Sequence, residues 1–232
     1  MSVQYSLTLT SESKQPGLNF DVYGVSWIKT EGSYNSRAAS MSSAPVYPLA
    51  WLSTPGGPGS THKVSWTLEY SLLCAGQGCR ADSVWSPNTA PLSVDPDVQS
   101  RNTAFLDYQG DYFLSIMDGS GLPLDPDKVY LVTSPRVPEW SQAAGPSVGL
   151  AVKAAASGGT AIPVPSVVTD SGPNLLHTFD LNIVYRVQLS SDEQATMTDW
   201  NAVQNYKLVD FGSGSAAECT LQASNIWACN PS

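Results

Sequence analysis

Residues 64–72 read Val-Ser-Trp-Thr-Leu-Glu-Tyr-Ser-Leu, so Val64, Trp66, Leu68, Tyr70 and Leu72 alternate with Ser65, Thr67, Glu69 and Ser71. Successive side chains of an extended chain point to opposite sides, and a period of two therefore marks a strand with one buried and one wet face. The same period returns along most of the chain. Val3, Tyr5, Leu7 and Leu9 alternate with Gln4, Ser6 and Thr8, and Val148, Leu150 and Val152 alternate around Gly149 and Ala151. Across residues 175–189, His177, Phe179, Leu181, Ile183, Tyr185 and Val187 form one face. Thr178, Asp180, Asn182, Arg186 and Gln188 form the other, with Val184 as the exception.

Shorter apolar runs at 20–28, 46–52, 103–108, 111–117, 129–133 and 207–211 read as further strands. Gln109-Gly110 reads as a tight hairpin connection, because glycine tolerates positive φ. With 18 glycines and 17 prolines punctuating the runs, the pattern predicts an all-β fold. The expected architecture is a single-domain antiparallel β-sandwich of jelly-roll type over residues 1–232, with about ten short strands. One short helix is expected near 191–205: Ser190 with Glu193, or Ser191 with Gln194, offers a capping box ahead of Met197, Trp200 and Val203 at helical spacing. Residues 53–60, 134–146 and 154–171 read as loops inserted within the domain.

Composition narrows the partners. Only 13% of the residues are charged, and 20 acidic against 11 basic side chains leave a net charge of −9. A chain without a Lys/Arg cluster cannot neutralise a run of phosphates, so nucleic acid and anionic membrane are poor partners. No apolar run approaches the roughly 20 residues of a membrane-spanning helix. Residues 1–5 lead straight into a strand pattern, without the basic start and apolar stretch of roughly 7–15 residues that mark a signal peptide.

The cysteines suggest two short loops: Cys74 and Cys79 bracket Ala-Gly-Gln-Gly, while Cys219 and Cys229 lie near the C-terminus. Disulfides are the favoured state and free thiols the alternative. Zinc fits poorly, since the spacings are not those of paired knuckles and the chain has two histidines. Disulfides favour a secreted or lumenal protein whose signal peptide is absent from this sequence, with a cytoplasmic protein as the alternative.

Residues 46–52, Val-Tyr-Pro-Leu-Ala-Trp-Leu, precede a Pro/Gly loop and then residues 63–71, Lys-Val-Ser-Trp-Thr-Leu-Glu-Tyr-Ser. This block resembles the RhiA family of rhizosphere-expressed proteins, which share a YxLAW strand, a PG turn and a WxxxYS strand. Ser147-Val148-Gly149-Leu150, and Pro173-Asn174 ahead of a strand reaching Tyr185, follow in the family's order. The Cys74 to Cys79 segment and the C-terminal cysteine tail depart from its pattern. The resemblance implies a β-sandwich and possible self-association into a homo-oligomer. It transfers no active site.

No P-loop, GxGxxG, HExxH or GxSxG pattern occurs, so no nucleotide, flavin or redox-metal cofactor is expected. Asp95-Pro96-Asp97 and Asp125-Pro126-Asp127 put carboxylates in turns, but without the ligand spacing of a calcium loop. They read as turn formers, and no metal is assigned. His177, on an apolar strand face, is either an acid–base group or a core histidine bonded to its neighbours. Trp66 reads as core, whereas Trp27, Trp51, Trp85, Trp140 and Trp227 fall at strand ends or in loops, with Trp140 the best candidate for a pocket lid.

Two classes of function follow. One is a small-molecule pocket, with His177, Tyr185, Arg186 and Tyr70 as catalytic candidates and Trp140, Trp51, Trp85, Trp27 and Phe179 binding an apolar or aromatic ligand. Its chemistry would be that of a cofactor-independent cyclase, dehydratase or isomerase, including a Diels–Alder-type cyclisation of a natural product. The other is a non-catalytic protein: a secreted carbohydrate-binding or lectin-like module, or a self-associating RhiA-like protein.

Overall fold

The computed structural model describes residues 4–32, 45–118, 121–140, 145–156, 160–191, 194–199 and 206–232. Its alternating segments are strands, seventeen among the described residues and gathered in three sheets, with no helix. The largest sheet runs in the order β17 (Trp227–Pro231), β16 (Ala216–Leu221), β1 (Gln4–Ser11), β6 (Thr61–Ala75), β11 (Ser147–Ala156), β12 (Ile162–Asp170) and β4 (Val46–Pro48). The short β7 (Leu92–Val94) also pairs with β6. A second sheet has the order β3 (Ile28–Gly32), β13 (Leu175–Asp180), β10 (Lys128–Thr133), β8 (Thr103–Tyr108) and β9 (Tyr112–Ile116). The third is β15 (Lys207–Leu208), β14 (Val184–Ser190), β2 (Asn19–Val25) and β5 (Ala50–Pro55). Two pairs depart from the all-antiparallel expectation: β1 with β16, and β8 with β10, are parallel.

The inner faces of the three sheets meet in one buried cluster, which includes Leu7, Trp66 and Leu150 from the first, Leu106 and Phe179 from the second, and Trp51 and Val187 from the third. Each fully buried aromatic ring removes about 150–250 Å² from water, worth roughly 4–6 kcal/mol at about 25 cal/mol per Å² before entropy is subtracted. A smaller cluster of Leu73, Ala75, Trp85, Ala151, Val168 and Met197 covers the opposite face of the first sheet. This explains why β6 changes from alternating burial to continuous burial after Glu69: its C-terminal half is sandwiched on both sides.

Three segments that read as single strands are two strands in different sheets. The chain leaves the third sheet for the second at Ser26-Trp27, passes from the first to the third at Leu49, and returns from the second to the third through residues 181–183. At the last corner, Asn182 N–H bonds Asp180 Oδ1 at 2.8 Å and Ile183 N–H bonds the Leu181 carbonyl at 2.8 Å. The period of two survives this last corner, and Val184, the exception in the sequence pattern, is exposed.

Other expectations fail for physical reasons. Residues 154–171 read as a loop in the sequence, yet β12 is a full strand. Pro163 and Pro165 lie in the part of β12 that β4 does not pair, where a missing N–H breaks no ladder bond to any described strand. The described part of the expected helix, residues 191 and 194–199, is a turn followed by isolated bridges; residues 192–193 and 200–205, Trp200 included, lie outside the described residues. Ala195 and Thr196 bond Ala50 while Met197 bonds Ser83 and Asp82, so tertiary partners take the backbone groups that a helix would have used. The C-terminal tail is the hairpin β16–β17.

Candidate functional site

Along β6, Tyr70 faces Val152 of β11 but Thr67 faces Lys153, which leaves Leu68 and Glu69 without partners in β11. On the other edge, β1 ends its pairing at Gln4 opposite Thr67, and β7 begins opposite Tyr70 and Leu72. The handover opens a cleft of about 700 Å³ over this bulge. Its floor is formed by Tyr5, Leu68, Tyr70 and Tyr185.

Three loops build the walls. Residues 95–101 are closed by the Asp95 N–H bonding the Arg101 carbonyl at 3.0 Å, and Asp97 N–H bonds Asp95 Oδ1 at 3.1 Å. Residues 125–127 repeat this device, with Asp127 N–H bonding Asp125 Oδ1 at 3.0 Å. The third wall is the sheet corner at 181–183, joined to the second by Leu181 N–H bonding the Asp127 carbonyl at 2.8 Å. Both Asp-Pro-Asp motifs are therefore turn formers, as the sequence suggests. Each also aligns its second aspartate, Asp97 or Asp127, with the cleft.

The floor is an aromatic assembly continuous with the core. Tyr5 stacks on Trp66 at 5.8 Å and 11°, and Tyr185 lies 4.8 Å from Trp66 and 6.1 Å from Tyr5. Trp66 Nε1 donates to the Tyr185 hydroxyl at 2.9 Å. Tyr70 is 7% exposed, and its hydroxyl makes no hydrogen bond to any described residue. Burial pushes the Tyr70 phenol up to about 12, with the nearby Tyr5, Asp127 and Asp97 adding to the shift. Tyr185 is raised further, by burial first, against the opposing effect of the Trp66 hydrogen bond. Both phenols are therefore protonated at neutral pH and serve as hydrogen-bond donors, not bases. At the rim, Lys153 Nζ bonds Glu69 at 2.8 Å and holds that carboxyl below its usual range.

Of the catalytic residues expected from the sequence, Tyr70 and Tyr185 meet in this cleft. His177 does not line it. The ring is fully buried, with Nδ1 3.0 Å from Thr30 Oγ1 and Nε2 2.8 Å from Ser171 Oγ, and burial pushes it down to about 3. It is a neutral core histidine because β13 turns it into the second sheet, ahead of the corner that delivers Tyr185 to the cleft. Arg186, one residue past Tyr185, is on the other face, its guanidinium 4.4 Å over the Tyr206 ring.

The aromatic residues expected to bind a ligand lie apart from this cleft, several of them fully buried. Trp51 packs edge-on to Trp66 at 5.2 Å beneath the floor, and Phe179 is fully buried beside His177. Trp85 belongs to the opposite small cluster, with Nε1 donating to Ser147 Oγ at 2.7 Å. Trp140 is 39% exposed and hydrogen-bonded to Asp170, and Trp27 is 75% exposed at its sheet corner; neither lines the cleft. Tyr5, Asp97, Asp127 and Arg101 do line it and were not expected. The repeated Asp-Pro-Asp motif was the signal for Asp97 and Asp127.

The cysteines divide. Cys219 and Cys229 face each other across β16–β17 and are bonded. Cys74 and Cys79 are free thiols, contrary to the expected second loop. Cys74 points into the main core, whereas the Cys79 amide is held by Asp170 Oδ1 at 2.6 Å. Among the described residues no group of three or more His, Cys, Asp or Glu side chains is placed to hold a metal ion, and no helix is long and apolar enough to cross a membrane.

No protein-family model matches this chain, and no curated protein or solved structure does so either.

Proposed function

We propose that the protein binds a small organic molecule in the cleft over the β6 bulge, with the rings of Tyr5, Tyr70 and Tyr185 as its contact surface. The observation that carries this reading is the Tyr70 hydroxyl, a protonated donor on the cleft floor that bonds no described residue. That hydroxyl opens on the cleft, where water satisfies it in the free protein and a ligand acceptor can take the water's place. The cleft volume suits a ligand of drug-like size.

A catalytic reading draws on Tyr185. Its oxygen already accepts the Trp66 indole N–H, so its proton is available to a ligand. Two neutral phenols aimed at one carbonyl would stabilise charge that grows there during a dehydration, isomerisation or cyclisation, without a cofactor. The lectin-like alternative needs the strand-end and loop tryptophans spread over an open face, and two of them, Trp51 and Trp85, are fully buried. A secreted or lumenal location is supported by the Cys219–Cys229 bond, which persists in oxidising compartments.

Ligand screening by thermal shift and tryptophan emission tests the reading. Ligands of the cleft are expected to perturb Trp66, to bind at least about tenfold more weakly to Tyr70→Phe, and to be excluded by Ser93→Trp at the rim. Hits indifferent to both substitutions would place binding elsewhere.

A further inference from the structure

The charge around the cleft is lopsided. Asp95, Asp97 and Asp127 line it against the single guanidinium of Arg101, and none of the four makes a salt bridge among the described residues. The fourth carboxylate of the lining, Glu69, is neutralised by Lys153. Three unpaired carboxylates facing one cation leave a negative field, and walls of low dielectric focus such a field into the cleft. That field reaches the floor, because Asp127 and Asp97 are among the groups that raise the Tyr70 phenol. An anionic ligand is thus repelled from the site.

The floor is matched to the same sign of charge. Tyrosine rings present a negative π face, and a cation within about 6 Å of one gains roughly 0.5–2 kcal/mol, most when it is desolvated. An alkylated ammonium combines a diffuse positive charge with an apolar surface, and it needs both features of this site: rings beneath it and carboxylates at the rim. A sugar would use the carboxylates as acceptors but would gain nothing from the net field.

We infer that the ligand of this cleft carries an alkylated ammonium group, held over the rings of Tyr5, Tyr70 and Tyr185 and facing Asp97 and Asp127. The inference rests on the cleft being the binding site.

The test compares choline and benzyltrimethylammonium with the neutral isostere 3,3-dimethylbutan-1-ol, with benzoate and with glucose, by calorimetry and tryptophan emission. The ammonium probes are expected to bind at least about tenfold more tightly than the neutral isostere. Their affinity should fall as salt rises. The Asp97→Asn/Asp127→Asn double variant should lose that advantage with its melting temperature unchanged, since neither carboxylate bonds the protein. Equal binding of the isostere or of glucose, with the double variant silent and Tyr70→Phe still weakening binding, overturns the charge inference and leaves the cleft as the site. Absence of ammonium binding overturns the inference as well. Ammonium binding that survives both Tyr70→Phe and Ser93→Trp overturns the inference and the cleft reading together.

Discussion

Trp66 and Tyr185 are joined by a 2.9 Å hydrogen bond from the indole Nε1 to the phenol oxygen, and this bond links a fully buried ring of the core to the floor of the cleft. The two residues lie 119 positions apart in the chain, on sheets that face each other. Removing the acceptor strands a buried indole N–H. Tyr185→Phe is expected to lower stability by about 1–3 kcal/mol in urea unfolding monitored by circular dichroism.

Tyr70→Phe should behave differently. Its hydroxyl has no protein partner, so its loss should change stability by less than about 0.5 kcal/mol while weakening ligand binding. A Tyr70→Phe variant destabilised as much as Tyr185→Phe would show that the Tyr70 hydroxyl is already satisfied.

His177 sets an acid dependence. Native His177 is neutral down to about pH 3, whereas the unfolded residue takes a proton near its ordinary value of about 6.5. Between these limits the unfolded state binds more protons, so stability falls as pH falls, at up to about 1.4 kcal/mol per pH unit, and levels off below the native value. His177→Gln should be less stable at neutral pH but should lose this slope between about pH 4 and 6. Asp107, held low by Gln109, Ser134 and Arg136, adds a separate loss at more acidic pH that the variant keeps.

The cysteines give a chemical check. Alkylation in denaturant without reductant should label Cys74 and Cys79 alone. In the native protein both thiols should react slowly at neutral pH, because burial pushes Cys74 up to about 12 and Cys79 higher still. Reducing the Cys219–Cys229 bond, which closes a loop of separation 10, should cost about 2–3 kcal/mol by chain entropy.

Gly149 marks a close approach. A Cβ there would lie 2.8 Å from Val168 Cγ1, 3.0 Å from the Val167 carbonyl oxygen and 3.1 Å from the Trp85 ring. Gly149→Ala is expected to destabilise by about 1–3 kcal/mol through overpacking, read as a lowered urea midpoint at constant slope.

Much of the fold is legible in the sequence because alternation is a local property. It assigns Leu7, Trp66, Leu150, Phe179 and Val187 to buried faces, and it does so even where the chain changes sheets between Asp180 and Val184. The corners themselves carry no such signal. Nothing in the local pattern separates one strand of fifteen residues, as in β6, from two strands joined by a kink, as across 175–189. The strand at 162–170 and the turn at 194–199 carry no local signal for a related reason: Pro163 and Pro165 are tolerated where no described strand pairs with them, and the backbone of Ala195, Thr196 and Met197 bonds Ala50 and Ser83 in place of a helix.

By itself, then, the sequence determined the period of two, and with it the all-β class and the inward direction of Tyr70 and Tyr185, because side-chain direction in a strand follows from covalent geometry. Only the tertiary structure decided that these two phenols share a cleft while His177 is enclosed. The cleft exists because β6 bulges where β1 gives way to β7, and because the loops at 95–101, 125–127 and 181–183 arrive there from distant parts of the chain. Those encounters depend on which strands pair across the sheets, and that is settled by the packing of the whole core rather than by any local run of residues.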